Sequence, residues 1–136
     1  MKKKIIIGLL IIFTLILLYC GCALYVYGDY ISNRASLVSN LGDTSYKLRL
    51  YLQDNQQLPD NVVDLEKELN IVMIDSFTGE YLEYYPENLC KTNPLPLIIQ
   101  KEYHRTKIWP LGELEKYTIM NKPGIIRPIY KKSYEQ

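Results

Sequence analysis

The chain has 136 residues, of which 48% are hydrophobic and 23% charged, and its 16 basic and 15 acidic side chains leave a net charge of +1 at pH 7. A balance of this kind lacks the strongly basic surface that nucleic-acid binding requires, so we expect no nucleic-acid partner. One histidine and three cysteines give no paired metal motif and no dense disulfide framework.

Residues 5–27 form an uncharged, mostly apolar segment directly after Met1-Lys2-Lys3-Lys4. At about 1.5 Å per residue, a helix of that length covers roughly the 30 Å hydrocarbon core of a bilayer. A cleaved signal peptide would have a shorter apolar stretch and then small residues at the cut site. We therefore predict that residues 1–27 are a retained transmembrane anchor. A lipoprotein signal ending at Cys22 is a second interpretation, although Tyr19 stands where such signals usually carry Leu.

The distribution of basic residues predicts the orientation of this anchor. Lys2, Lys3 and Lys4 precede it, whereas Arg34 is the only basic residue in the first stretch after it. The positive-inside bias then places the N-terminus in the cytoplasm. We expect a single-pass protein of the inner (cytoplasmic) membrane, with residues 28–136 forming one extracytoplasmic domain and several tyrosines, Tyr25, Tyr27 and Tyr30, at the outer headgroup level.

After the anchor the pattern is helical from Gly28 to about Asn55, and this helix can continue from the anchor without a break. Apolar and small residues recur at three- and four-residue steps along one face: Ile31, Ala35, Val38, Leu41, Ser45, Leu48 and Leu52. We expect a kink at Gly42-Asp43, and Leu58-Pro59 is expected to end the helix. A short second helix, capped by Asp60 or Asn61, is predicted to run to Leu69 with Val62, Leu65 and Leu69 inside.

Beyond Leu69 the period changes to that of strands and turns. We predict a strand or helix end at 71–74, a turn at 75–79, strands at 81–85, 97–99, 107–109 and 117–120, a break at 93–96, and an edge strand at 125–130. Pro128 favours the edge position because proline donates no hydrogen bond to a ladder. The predicted fold is α+β: a long N-terminal helix packed on a small antiparallel sheet.

No residue is predicted to be catalytic, to bind a cofactor or to ligate a metal, so we expect a protein that is not an enzyme. His104, between Tyr103 and Arg105, is interpreted as a surface residue. Glu113 and Glu115 are assigned to a solvated strand face, and Asp64 and Glu68 to the wet face of the short helix. Trp109 is expected in the core, with a binding hot spot as the alternative.

Charge and cysteine placement leave two further questions open. Residues 28–90 hold 4 basic and 11 acidic side chains, and residues 91–136 hold 9 basic and 4 acidic ones. Attraction between these halves within one fold is favoured, and contacts between stacked copies are the alternative. Cys90 is the single cysteine outside the anchor; we expect it to be buried, or else to be a free thiol able to link two chains.

Several segments resemble type IV pilins and the pseudopilins of type II secretion: Phe13-Thr14-Leu15-Ile16-Leu17-Leu18, the helix ending at Leu58-Pro59, Asp64-Leu65-Glu66, and 75–80 running into Tyr84. The resemblance implies a pilin-like fold and a non-enzymatic component or accessory of a secretion or filament-type envelope assembly, with weak homo-oligomers or other assembly proteins as partners. Ile12 and Leu17 replace the Gly and Glu of the family motif. The alternative is a membrane-tethered extracytoplasmic binding module, or lipoprotein-like envelope protein, unrelated to filaments.

Overall fold

The computed structural model describes residues 2–91, 95–106, 114–122 and 125–132. Its elements are two helices, α1 (Lys2–Asp54) and α2 (Val62–Leu69), a 3₁₀ helix (Pro86–Cys90), and four strands, β1 (Glu83–Tyr84), β2 (Leu95–Ile99), β3 (Glu115–Lys122) and β4 (Ile125–Lys132). The strands form one antiparallel sheet in the order β1-β2-β3-β4. The predicted α+β class, a long helix and a small antiparallel sheet, is confirmed. We call the described part of residues 55–132 the head.

The first half of α1 exposes its apolar side chains. The helix is 53 residues long, or about 80 Å at 1.5 Å per residue. From Ile5 to Tyr25 its large apolar side chains are each more than half exposed. By length and composition this part of the helix can cross a membrane, as the sequence predicted, and α1 continues from it without a break through Gly42.

The second half of α1 buries one face against the head. Leu41, Ser45 and Leu48 are buried as predicted, but the fully buried residue one turn earlier is Leu37, whereas Val38 is 44% exposed. Adjacent helical positions differ by about 100°, so a series that passes through Leu37 turns Val38 and Ile31 away from the head. The same face continues toward the N-terminus through Arg34 and Tyr30, which are polar.

Helix α2 forms as the sequence predicts. Asn61 caps it, with its Oδ1 accepting from the Asp64 N–H at 2.9 Å, and Leu65 and Leu69 are buried. Helix α1 ends at Asp54, one residue before the predicted end of its pattern at about Asn55 and four residues before buried Leu58. The polar residues Asn55-Gln56-Gln57 separate the helix from Leu58.

The segment between α2 and the sheet is less regular than predicted. Within 71–74 only Ile74 bridges to Tyr81, and the strand expected at 81–85 is the two-residue β1. The turn at 75–79 is confirmed: the Gly79 N–H donates to the Asp75 carbonyl oxygen at 2.8 Å, and Gly79 has φ of +73°.

The central strands β2 and β3 contribute fully buried side chains to the core. Leu97, Ile98 and Ile119 are fully buried. The predicted break at 93–96 is wrong for Leu95 and Pro96, which begin β2; a register irregularity against β3 between Pro96 and Ile98 accommodates the proline. Strand β4 is at the sheet edge and holds Pro128 opposite Ile119, as expected. The predicted strand at 107–109, with Trp109, and Glu113 lie outside the described residues.

Candidate functional site

His104 is mostly buried and paired, not a surface residue as expected. Its Nε2 lies 2.9 Å from Oδ2 of Asp75, and the two side chains are 14% and 5% exposed. Its backbone forms a bridge with Glu115, with N–H to oxygen distances of 2.9 and 2.8 Å. This bridge holds the ring beside the 75–79 turn. Sequence spacing missed the pair because its two members are 29 residues apart.

Asp75 is the centre of a hydrogen-bond network. One oxygen, Oδ1, accepts from the Phe77 N–H at 2.9 Å, and Oδ2 also accepts from Gln100 Nε2 at 3.1 Å. Gln100 in turn accepts from the Tyr117 N–H at 3.2 Å. A buried carboxylate needs this number of donors to offset its lost hydration. The network ties the turn, the residue after β2 and strand β3 to one side chain.

A second polar group joins α1 to the sheet. Arg34 Nε lies 3.0 Å from Oε2 of Glu115 and donates to the Tyr117 hydroxyl oxygen at 2.9 Å. Glu115 is buried, so its assignment to a solvated face was wrong; α1 covers it and supplies the cation. The hydrogen bond to Tyr117 raises the pKa of Arg34, which therefore stays charged. Burial, followed by a hydrogen bond to Glu115, raises the pKa of Tyr30 well above its usual value of 10.0.

Aromatic rings connect the two polar groups. Phe77 stacks on the His104 ring, with centroids 4.6 Å apart and planes 9° apart. On α1, Tyr30 lies tilted against Phe77 at 5.4 Å. Such offset or tilted pairs are favourable beyond the apolar area that they bury. The rings therefore help to fix against α1 the end of the head that lies nearest the exposed apolar segment.

A cleft of about 290 Å³ opens beside these rings. Helix α1 lines one side with residues of two successive turns, and the head lines the other with Phe77 and a short loop: Tyr25, Val26, Asp29, Tyr30 and Asn33 face His104, Arg105 and Thr106. The cleft therefore lies where α1 leaves its exposed apolar segment. It is the candidate site, and its lining mixes aromatic rings with one acidic and one exposed basic side chain.

Within the described part of the chain, no group of three His, Cys, Asp or Glu residues could hold a metal ion. Asp64 and Glu68 are exposed, as predicted, and Glu68 accepts from the Tyr51 hydroxyl at 2.7 Å.

Cys90 is exposed, contrary to expectation. It ends the 3₁₀ helix, whose buried member is Asn88. The amide of Asn88 donates to the Pro96 carbonyl oxygen at 2.7 Å. That bond turns Asn88, rather than Cys90, toward the sheet.

Comparisons with protein-family models, with curated proteins and with solved structures gave no match to this chain.

Proposed function

We propose that this chain is a membrane-anchored, non-enzymatic, pilin-like component or accessory of a secretion or filament-type envelope assembly. In this proposal residues 5–27 span the inner membrane and the head lies outside the cytoplasm. The observation that carries it is the single helix α1, whose first half is apolar and exposed while its second half is packed on an antiparallel sheet. An anchor built this way can also contact other spanning helices.

The charges support weak association over stable polymerisation. Leu17 offers no carboxylate inside the span, so no ion pair within the membrane can set the register of neighbouring helices. Part of the charge asymmetry is used inside the head, where Lys101 of the basic half lies 3.2 Å from Glu80 of the acidic half. Contacts between copies then depend on helix packing and on the remaining surface charges.

A membrane-tethered binding module is the second candidate. It is favoured by the cleft beside the anchor, which has the concave, mixed lining of a ligand site, and by Ile12 in place of the glycine of the pilin motif. In such a protein the anchor only tethers the head. The two candidates therefore differ in whether the sequence of the anchor matters.

Replacing the anchor distinguishes them. In the native host, the gene is deleted and then complemented with the full chain or with a chain whose residues 5–24 are an unrelated apolar span of equal length. We expect the deletion to impair secretion or surface filaments, and the wild-type chain, but not the replaced one, to restore them. Full restoration by the replaced anchor would contradict the assembly role and favour the tethered module. No effect of the deletion on either process would also contradict it.

A further inference from the structure

The cleft beside the anchor lies at a defined depth. Its residues on α1 run from Tyr25, at the end of the apolar segment, to Asn33. Positions 28–33 rise about 9 Å beyond Tyr27 at 1.5 Å per residue. The headgroup layer on each side of a bilayer is roughly 5–8 Å thick, the difference between its full and hydrocarbon thickness. In an anchored chain the cleft therefore opens into the headgroups of the outer leaflet.

The charges in the cleft are one of each sign. Asp29 on α1 and Arg105 on the head both line it and are both exposed. Among the residues that the structure describes, neither has an ion-pair partner. The imidazole of His104, also in the lining, is already paired with Asp75 at 2.9 Å. A ligand that pairs with both charges must bring both an anionic and a cationic group.

Aromatic rings complete this chemistry. Tyr25 and Tyr30 line the cleft on the same side as Asp29, and Phe77 lies opposite. Faces of such rings attract an ammonium group, while Asn33 and Thr106 add neutral polar atoms. The volume of about 290 Å³ equals roughly ten waters at ~30 Å³ each, enough for a headgroup of about eight heavy atoms.

We propose that the cleft binds the headgroup of a zwitterionic phospholipid of the surrounding membrane, with phosphoethanolamine as the best fit. The phosphate lies at Arg105, which can donate two parallel hydrogen bonds to it. The primary ammonium lies at Asp29, to which it donates hydrogen bonds, beside the tyrosine rings. Phosphatidylglycerol lacks the cation, so Asp29 disfavours it. A trimethylammonium headgroup keeps the charge but loses the hydrogen-bond donors.

This inference rests on the proposed membrane anchoring but not on the proposed assembly role. It gives the head a fixed rotation and depth on the membrane, because a lipid held between α1 and the head contacts both. The Tyr30–Phe77 contact already joins the two walls of the cleft, and the Phe77–His104 stack fixes Phe77 within the head. The site is thus formed before lipid binds.

The test measures lipid retention by the full-length protein. The protein is purified from micelles containing equal amounts of phosphatidylethanolamine, phosphatidylcholine and phosphatidylglycerol, and the lipids that stay bound are counted by native mass spectrometry. We expect phosphatidylethanolamine to be retained in preference to both others. Asp29→Asn and Arg105→Gln should each reduce that retention about tenfold, the scale of one charge-assisted contact. Asp54→Asn and Arg49→Gln, the same changes at exposed positions of α1 away from the cleft, should have no effect.

A variant that reverses the lipid preference excludes misfolding as the cause of lost retention. Asp29→Lys makes the cleft cationic, so it should retain phosphatidylglycerol in preference to phosphatidylethanolamine, which a loss of folding would not produce. Equal retention of all three lipids by the wild type, or unchanged retention by the cleft variants, would overturn the inference. Water-soluble phosphoethanolamine that binds in lipid-free micelles as tightly as phosphatidylethanolamine would also overturn it, because the ligand would then be a free metabolite and not a membrane lipid.

The same samples separate this inference from the anchoring on which it rests. Alkaline carbonate extraction of the source membranes reports whether the chain is an integral membrane protein. A chain that is extracted contradicts the anchoring itself. A chain that stays in the membrane and shows no headgroup preference contradicts only the cleft inference.

Discussion

Asp75 and His104 stand out at the scale of single residues, because a small head buries a carboxylate and an imidazole together. Removing one member of such a pair leaves the other without its partner in a mostly buried site, which costs more than the pair contributes when intact. His104 also lies stacked on Phe77. The pair is therefore expected to matter for the stability of the end of the head nearest the exposed apolar segment.

We predict that Asp75→Asn and His104→Gln each lower the free energy of unfolding by about 1–3 kcal/mol. The double variant should lose less than the sum, since the two residues share one interaction. Denaturant unfolding of the full chain in micelles, followed by circular dichroism, measures this. Glu102→Gln, at an exposed position near His104, is the control. Strictly additive losses would show that the 2.9 Å contact contributes nothing.

The raised pKa values of two tyrosines predict how the free energy of unfolding changes at high pH. Burial, and then the charge of Asp60, raises the pKa of Tyr84 above 10.0, and Tyr30 behaves alike. Both groups bind a proton more tightly in the folded chain, so their contribution is fully present below pH ~10 and is lost as pH rises above it. The unfolding free energy should therefore fall above pH ~10.

Tyr84→Phe tests this assignment. The variant loses the hydrogen bond from the hydroxyl to the Pro59 carbonyl oxygen, 2.8 Å long, and should be about 0.5–1.5 kcal/mol less stable at neutral pH. Its stability should fall less steeply than that of the wild type above pH ~10. Exposed Tyr46, replaced by Phe, is the matched control. Parallel pH profiles for Tyr84→Phe and the wild type would contradict the assignment.

At the scale of elements, local patterns predicted what they directly encode. The cap at Asn61, the turn closed by Gly79 and the edge strand with Pro128 follow from local chemistry and are correct. The buried Glu115 and His104 were missed because their partners, Arg34 and Asp75, come from distant parts of the chain. The predicted buried face of α1 was wrong at Val38. The apolar spacing fits two neighbouring series of positions, one through Leu37 and one through Val38, and spacing alone does not show which series the head covers.

Two glycines allow one substitution to be tested with opposite outcomes. Gly79 has φ of +73°, and Gly42 lies inside α1; an added Cβ would meet no atom within 4 Å at either position. Gly79→Ala should therefore cost about 1–2 kcal/mol from backbone conformation alone. Gly42→Ala should stabilise the helix by about 0.5–1 kcal/mol. Thermal unfolding of both variants measures the difference; a loss at Gly42 would show that α1 bends there in solution.

At the scale of the whole molecule, the cysteines report orientation. Cys90 is exposed on the head, whereas Cys20 and Cys22 lie within the apolar span. A membrane-impermeant maleimide added outside the cytoplasm should therefore label Cys90 in intact cells, and Cys90→Ser should abolish the labelling. Labelling that appears only after the membrane is broken would place the head in the cytoplasm and reverse the predicted orientation.

Association between copies of the chain depends on its span and on its surface charges. The exposed span and the opposite charges of residues 28–90 and 91–136 favour contact, but Leu17 leaves the span without an ion pair. Surface charge contacts are screened over about 10 Å at 0.1 M salt and about 3 Å at 1 M. We therefore predict weak oligomers of the full chain that dissociate as salt rises, measured by sedimentation in micelles across ionic strengths.

Cys20 and Cys22 show whether the spans also pack in a fixed arrangement. They are separated by about 200° around α1, so a defined interface brings only one of them near its copy. Two variants are compared in a Cys90→Ser background, one with Cys20→Ser and one with Cys22→Ser, so that each keeps one cysteine in the span. Oxidation in native membranes should give a disulfide-linked dimer with only one of these two variants. Equal dimer from both variants would indicate random collision. A monomer at every salt concentration that forms no linked dimer would contradict self-assembly and favour the tethered module. Robust filaments at high salt would show that assembly does not need the carboxylate that is absent at Leu17.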